Sequence, residues 1–272
     1  MNFFKTLDEA LNATTPALKF MLLEELWQAF LDDEVSYDDD PIKPLERPAY
    51  SSFCTVVDPR TLAKRTKLST KEGRITFIHA IAHIEYSAVD LALDAAYRFR
   101  DMPHSYYKDW LEVACDEMRH FKLLEGLLKS QGSFYGDLPV HDALFEAAQR
   151  TQHSFLDRMA VVPRFMEANG LDANPRLITR LSGFAKEPFI QEFISVLEII
   201  LEEEVDHVLK GDRWFSYACK EEGVDKSIYF DIIERYYPQT FPKHIDINVK
   251  ARQDAGFSCS ELKKIGDVKC EN

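Results

Sequence analysis

Between Ile75 and Ala96 the apolar positions fall into two neighbouring series, Ile75, Ile78, Ala82, Val89, Ala92, Ala96 and Phe77, Ile81, Ile84, Ala88, Leu91, Ala95. Steps of three and four are the period of an α-helix, and two adjacent stripes make an apolar arc wide enough for heavy burial. The same period recurs three times. Tyr106, Trp110, Val113, Leu124 and Leu127 mark a helix over about 105–129, and Phe145, Ala148, Phe155, Met159, Val162 and Met166 mark one from near His141 to Asn169-Gly170. Ile190, Phe193, Leu197 and Ile200 belong to a fourth, opened by Glu187-Pro188 and running to about Lys220. Four long amphipathic helices predict an all-α protein organised as a four-helix bundle.

Local signals set the ends. Ser69-Thr70-Lys71-Glu72 reads as a capping box for the first long helix, and Asn169-Gly170 as a left-handed stop for the third. Pro163 removes a hydrogen bond to Met159 and must kink that third helix, after which a short helix is expected over about Pro175–Phe184. Upstream, a short helix near Leu7 is followed by Thr15-Pro16, a cap and first-turn proline that start a helix to about Leu31. Asp38-Asp39-Asp40 with Pro41, Pro44, Pro48 and Pro59 then forbid regular structure, so residues 35–68 read as an extended arm. Beyond Gly223, a helix over about Lys226–Tyr236 and a Ser258-x-x-Glu261 capping box give two small elements. The expected organisation is an N-terminal portion over 1–68, a bundle over 69–222 and a C-terminal helical extension over 223–272, together one compact domain.

Composition narrows the setting. No run of eighteen apolar residues and no basic, apolar, small-residue leader is present, so neither membrane insertion nor export is expected, and a cytoplasmic location follows by default. Five scattered cysteines (Cys54, Cys115, Cys219, Cys259, Cys270) suit reduced thiols, with Cys115 a small core residue. A net charge of −13 disfavours nonspecific binding to nucleic acid or anionic membrane. Against that background, residues 43–74 hold eight basic residues and three acids, a local +5. The arm is expected to wrap the acidic bundle, the other reading being recruitment of an acidic substrate.

The chemistry lies where acids interrupt apolar stripes. Glu117 and His120 sit three apart on the second long helix, and Glu204 and His207 three apart on the fourth, each pair continuing its stripe and each preceded by an acid, Asp116 or Glu203. On a helix such pairs share a face, so one carboxylate and one imidazole can grip the same ion. Two Glu-x-x-His helices plus two helices with a lone Glu are the donor pattern of dinuclear carboxylate bundles. Burying an unpartnered carboxylate costs several kcal/mol, so acids on a core stripe want a metal or a counter-charge. Glu85, the one acid on either stripe of the first helix, is the natural lone ligand for the first half; for the second, spacing leaves Glu167 and Glu146 as rivals. Asp116 and Glu203 would accept from the second ring nitrogen of the opposite histidine. His79 and His83, one turn apart, read as hydrogen-bonded core histidines rather than a zinc pair, and Gly211 as a close helix crossing or as room above the site.

The strings HAIAHIEYSAVDLALD (79–94), DEMRH (116–120), MAVVPRFMEANGLD (159–172), EEEVDHVLKGDRWF (202–215) and ARQDAGFS (251–258) resemble a ferritin-like bacterial family known as domain of unknown function 455, over about residues 44–260. The resemblance implies a ferritin-like bundle whose metal ligands are Glu85, Glu117, His120, Glu167, Glu204 and His207, which favours Glu167 over Glu146. Glu203 stands where the family usually has Asp. The function expected from this donor set is a di-iron or di-manganese carboxylate oxidoreductase that uses O2 or peroxide and an electron donor to oxidise a small organic substrate. Similarity to di-iron tRNA hydroxylases extends the substrate range to a modified nucleoside, with the 43–74 segment as its support. The alternatives are iron handling, as a ferroxidase, and a metal that only ties helices together; assembly into an oligomer is compatible with all three.

Overall fold

The structure, a computed structural model, describes residues 1–62, 67–243, 246–266 and 268–270. Among them the regular elements are helical, and extended pairing is limited to isolated bridges such as Val56 with Val140. The chain divides into two compact units, Met1–Gln149 and Arg150–Asn272. No helix among the described residues is long and apolar enough to cross a membrane.

In the first unit, α2 (Pro16–Leu31) begins where expected, capped by Thr15, whose side chain accepts from Leu18 N–H at 3.2 Å, whereas α1 (Phe3–Leu11) opens ahead of Leu7 because Asn2 caps it by accepting from Lys5 N–H at 2.9 Å. The long helices α3 (Lys71–Arg98) and α4 (His104–Ser130) pack along each other, with α1 on α3 and α2 on α4. Both stripes of α3 are buried from Ile78 and Ala82 to Ala95 and Ala96, apart from Ile84, which is exposed. Its cap is Thr70, which accepts from Gly73 N–H at 3.1 Å, one residue later than the Ser69 box expected; Glu72 then lies in the first turn, where it complements the helix dipole. After an irregular stretch over 131–142 comes α5 (Ala143–Arg150).

The arm is irregular apart from short turns at Ala49–Ser52 and Pro59–Thr61, and packs within this unit. Lys43 N–H donates to the Tyr97 hydroxyl at 3.0 Å, Gln149 Nε2 donates to the Leu45 carbonyl at 2.8 Å, and Tyr50 is 1 % exposed. Its described ion pairs go to Asp8 of α1, from Lys43, and to neighbouring Asp58, from Arg60. Lys64 and Arg65 of the basic segment lie outside the described residues.

The second unit corrects the expected third helix. The chain breaks after α5, and Ser154 caps a new helix by accepting from Asp157 N–H at 3.1 Å. That helix, α6 (Phe155–Val161), passes into a π-helical turn, Val162–Glu167, and then α7 (Ala168–Ser182). Pro163 does disturb the helix as expected, as a π turn. Asn169-Gly170 does not stop it, and Pro175 lies inside α7 rather than opening a separate helix. The Leu171 carbonyl that Pro175 cannot serve accepts instead from Asn248 Nδ2 at 3.3 Å, and the Ala168 carbonyl accepts from Arg252 Nη2 at 2.9 Å, so tertiary partners override both local stop signals. The 35-residue α8 (Pro188–Glu222) ends at Gly223 in the left-handed region, φ 66°. It packs against α6, the π turn and α7, while α9 (Ile228–Tyr236) lies on α6 and α10 (Val249–Asp254) joins α7, α8 and α11 (Cys259–Ile265). The Ser258–Glu261 capping box of α11 is present as expected.

Cys259 and Cys270 form a disulfide, with Cα atoms 5.8 Å apart, which corrects the expectation of five reduced thiols. The chain beyond α11 returns to that helix's first residue, a proximity that eleven residues of sequence spacing do not announce. Cys54, Cys115 and Cys219 are free thiols, and burial pushes the Cys115 thiol up to about 12, as suits a packed rather than reactive residue.

Candidate metal centre

Packing α3 along α4 turns Glu85 toward Glu117 and His120. His120 Nδ1 lies 3.2 Å from Glu85 Oε2 and 3.3 Å from Glu117 Oε2, and each of the three offers a ligand atom within 4.8 Å of the others. All three are buried, Glu117 and His120 completely. Such a group is stable only if positive charge stands among its carboxylates. In the metal-free chain protons serve. Burial, and then the charge of Glu117, pushes Glu85 up to about 8. Burial by itself would lower His120, but its hydrogen bonds to Glu117 and Glu85 outweigh that and raise the imidazole to about 12. A cation placed among the same oxygen and nitrogen atoms would replace those protons. The three residues form a buried group able to hold a metal ion.

In the second unit, Glu204 and His207 share the buried face of α8, with Nδ1 and Oε2 4.0 Å apart. Glu167 is half-buried at the end of the π turn, on a segment packed against that helix. Its rival Glu146 is exposed on α5, which removes it as a core ligand. Asp116 and Glu203 are both half-buried, and Asp116 also receives Arg119 Nη2 at 2.8 Å.

The neighbouring histidines are structural, as expected. His79 Nε2 accepts from the N–H groups of Gly136 and Leu138 at 3.0 and 3.4 Å, and burial lowers it to about 4, so it stays a neutral acceptor. His83 Nε2 lies 2.6 Å from the His141 carbonyl and must donate there, leaving Nδ1 to accept from the Tyr135 hydroxyl at 2.8 Å. Sequence reasoning passed over Arg164. The signal was available: an arginine directly after Pro163, inside an otherwise apolar stretch, needs a buried counter-charge, and it has two.

The sequence profile described as "Protein of unknown function (DUF455)" matches residues 12–263. A protein of Haemophilus influenzae bearing the description "Uncharacterized protein" is 36% identical over 277 residues, covering 98% of this chain and 94% of that one. No solved structure matches the fold. With nearly its whole length matched by the profile and by this relative, the chain belongs to the DUF455 family.

Proposed function

We propose that the chain is a dinuclear carboxylate metalloprotein and an oxidoreductase. Glu85, Glu117 and His120 would hold one ion, and Glu167, Glu204 and His207 the other. The observation that carries this reading is the Glu85–Glu117–His120 group, two buried carboxylates and an imidazole whose ligand atoms lie within 4.8 Å of one another. The repeat of the same Glu-x-x-His face on α8 supplies the second half. Four carboxylates and two imidazoles neutralise two divalent ions, and hard oxygen with imidazole donors suits iron or manganese rather than soft metals.

The reading gives each residue a task. Glu85 and Glu167 would each supply a carboxylate to one ion, His120 and His207 an imidazole to each, and Asp116 and Glu203 would fix the histidine tautomers by accepting from their outer ring nitrogens. The side chains of Glu117, His120 and His207 are fully buried, away from water, which strengthens the charge interactions that they make. When bound, the ion pair supplies the electrons for reducing O2 or peroxide, and the organic substrate is oxidised in consequence.

The test is to load metal-free protein with Fe(II) without air and then admit O2. One oxidation per site, repeated only after a reductant is added, is the expected result. Many turnovers with mineral formation indicate iron handling instead, and retained metal that never reacts indicates a tie between helices.

A further inference from the structure

The ARQDAGFS string at 251–258 contains no candidate ligand, yet it closes a buried cluster around Arg164, three residues before Glu167. The Arg164 side chain is fully buried in the π turn. Its Nε donates to Asp212 Oδ1 on α8 at 2.7 Å, and its Nη2 donates to Glu261 Oε1 on α11, also at 2.7 Å. The ring centres of Tyr229 and Phe257 each lie 4.4 Å from the guanidinium carbon. Beside it, Pro163 presses on Gly211 so closely that a Cβ there would lie 2.4 Å from the Pro163 Cβ. This settles Gly211 as a close helix crossing.

The other side of Glu167 is held as firmly. Arg252 Nη2 donates to the Ala168 carbonyl at 2.9 Å while the same guanidinium grips both oxygens of Asp172 at 2.9 and 2.7 Å. Gly256, at φ 95°, brings its backbone against Asp212, where a Cβ would meet Oδ2 at 2.8 Å. Burying an arginine with two carboxylates is a poor route to stability, because apolar groups of the same volume often do as well or better. What such a network supplies is registry. Pro163 has no N–H to give the helix and a π turn departs from the α period, so contacts from outside fix the turn's position.

We infer that Arg164, clamped by Asp212 and Glu261, is a positioning residue that locks the π turn to α8 and so sets the Glu167 carboxylate for the second metal ion beside Glu204 and His207. The inference rests on the dinuclear reading. On this account the 251–258 segment serves the metal site from a distance, through Asp212, Arg164 and the Ala168 carbonyl.

The experiment titrates chelator-stripped protein with Mn(II), following unbound Mn(II) by its electron paramagnetic resonance signal, with the melting temperature of the metal-free protein as the control for folding. Wild type should bind two ions. Asp212→Asn and Gly256→Ala should keep the first ion and weaken the second on the order of 10–100-fold, the range seen when a residue that orients a ligand is lost. Glu167→Gln should show the same split, and adding Asp212→Asn to it should produce no further loss, since both act on one carboxylate. Should Gly256→Ala fail to fold, Phe257→Leu, which leaves every charge in place, takes its position in the series. Second-ion affinity equal to wild type in the folded variants, or losses that add in the double variant, would overturn the inference. Fewer than two ions in the wild type would instead bring down the dinuclear reading, and this inference with it.

Discussion

At the scale of single residues, the central fact is that Glu117 and His120 are fully buried against a second buried acid, Glu85. That arrangement ties metal binding to protons. Glu85 is raised to about 8 and His120 to about 12, so at neutral pH the metal-free group is protonated at positions that must be vacated for a cation. Ion binding therefore releases protons, and affinity for Mn(II) should strengthen between pH 6 and pH 8. Calorimetry in buffers of different ionisation enthalpy checks this, and an affinity flat in pH would contradict it. Glu117→Ala should abolish binding at this half and, by breaking a buried pair, destabilise the metal-free protein by roughly 3 kcal/mol or more in denaturant unfolding. Asp116→Asn should leave stability nearly unchanged and weaken metal affinity on the order of 10–100-fold. If it matched Glu117→Ala instead, Asp116 would be a ligand. The burial of Glu85, Glu117, His120, Glu204 and His207 was legible in the sequence because each interrupts an apolar stripe on a continuous helix, where counting by three and four keeps its phase.

At the scale of elements, that counting fails where the helix is not continuous. The break before Ser154 and the π turn at Val162–Glu167 each reset the phase, which is why spacing alone could not choose between Glu146 and Glu167. The stop signals misled for a related reason. Asn169-Gly170 and Pro175 are local preferences worth about a kcal/mol to a few, and partners distant in sequence outweigh them. Asn248 shows this most plainly: its Nδ2 serves the carbonyl that Pro175 frees, and its Oδ1 caps α10 by accepting from Ala251 N–H at 3.2 Å. Asn248→Ala loses both bonds and should destabilise the protein by about 1–3 kcal/mol, read from the denaturant midpoint at unchanged slope. A change under a few tenths of a kcal/mol would mean that α7 passes Pro175 without that help. Ends set by one local group, such as Thr15, Glu187 and Ser258, fell where the sequence put them.

At the scale of the whole molecule, periodicity names the buried faces but not what covers them. The arm shows the difference: its prolines foretold an extended course, and its described contacts include hydrogen bonds to Tyr97 and Gln149 and the Lys43–Asp8 ion pair, none of which its sequence names. The Cys259–Cys270 link was hidden because pairing depends on where the tail returns. Family membership is the broadest statement that the chain supports, and metal should govern its stability as a unit. An ion present at 100 times its dissociation constant stabilises by about 2.7 kcal/mol, so adding Mn(II) to stripped protein should raise the melting temperature by roughly 5–10 °C, an effect reversed by chelator. The most direct test of the dinuclear centre is anomalous scattering at the iron and manganese edges from a crystal of the loaded protein. Two peaks roughly 3.5–4 Å apart, bridged by Glu117 and Glu204 and completed by Glu85, His120, Glu167 and His207, are the expected result. A single peak confined to Glu85, Glu117 and His120, or none, would contradict it.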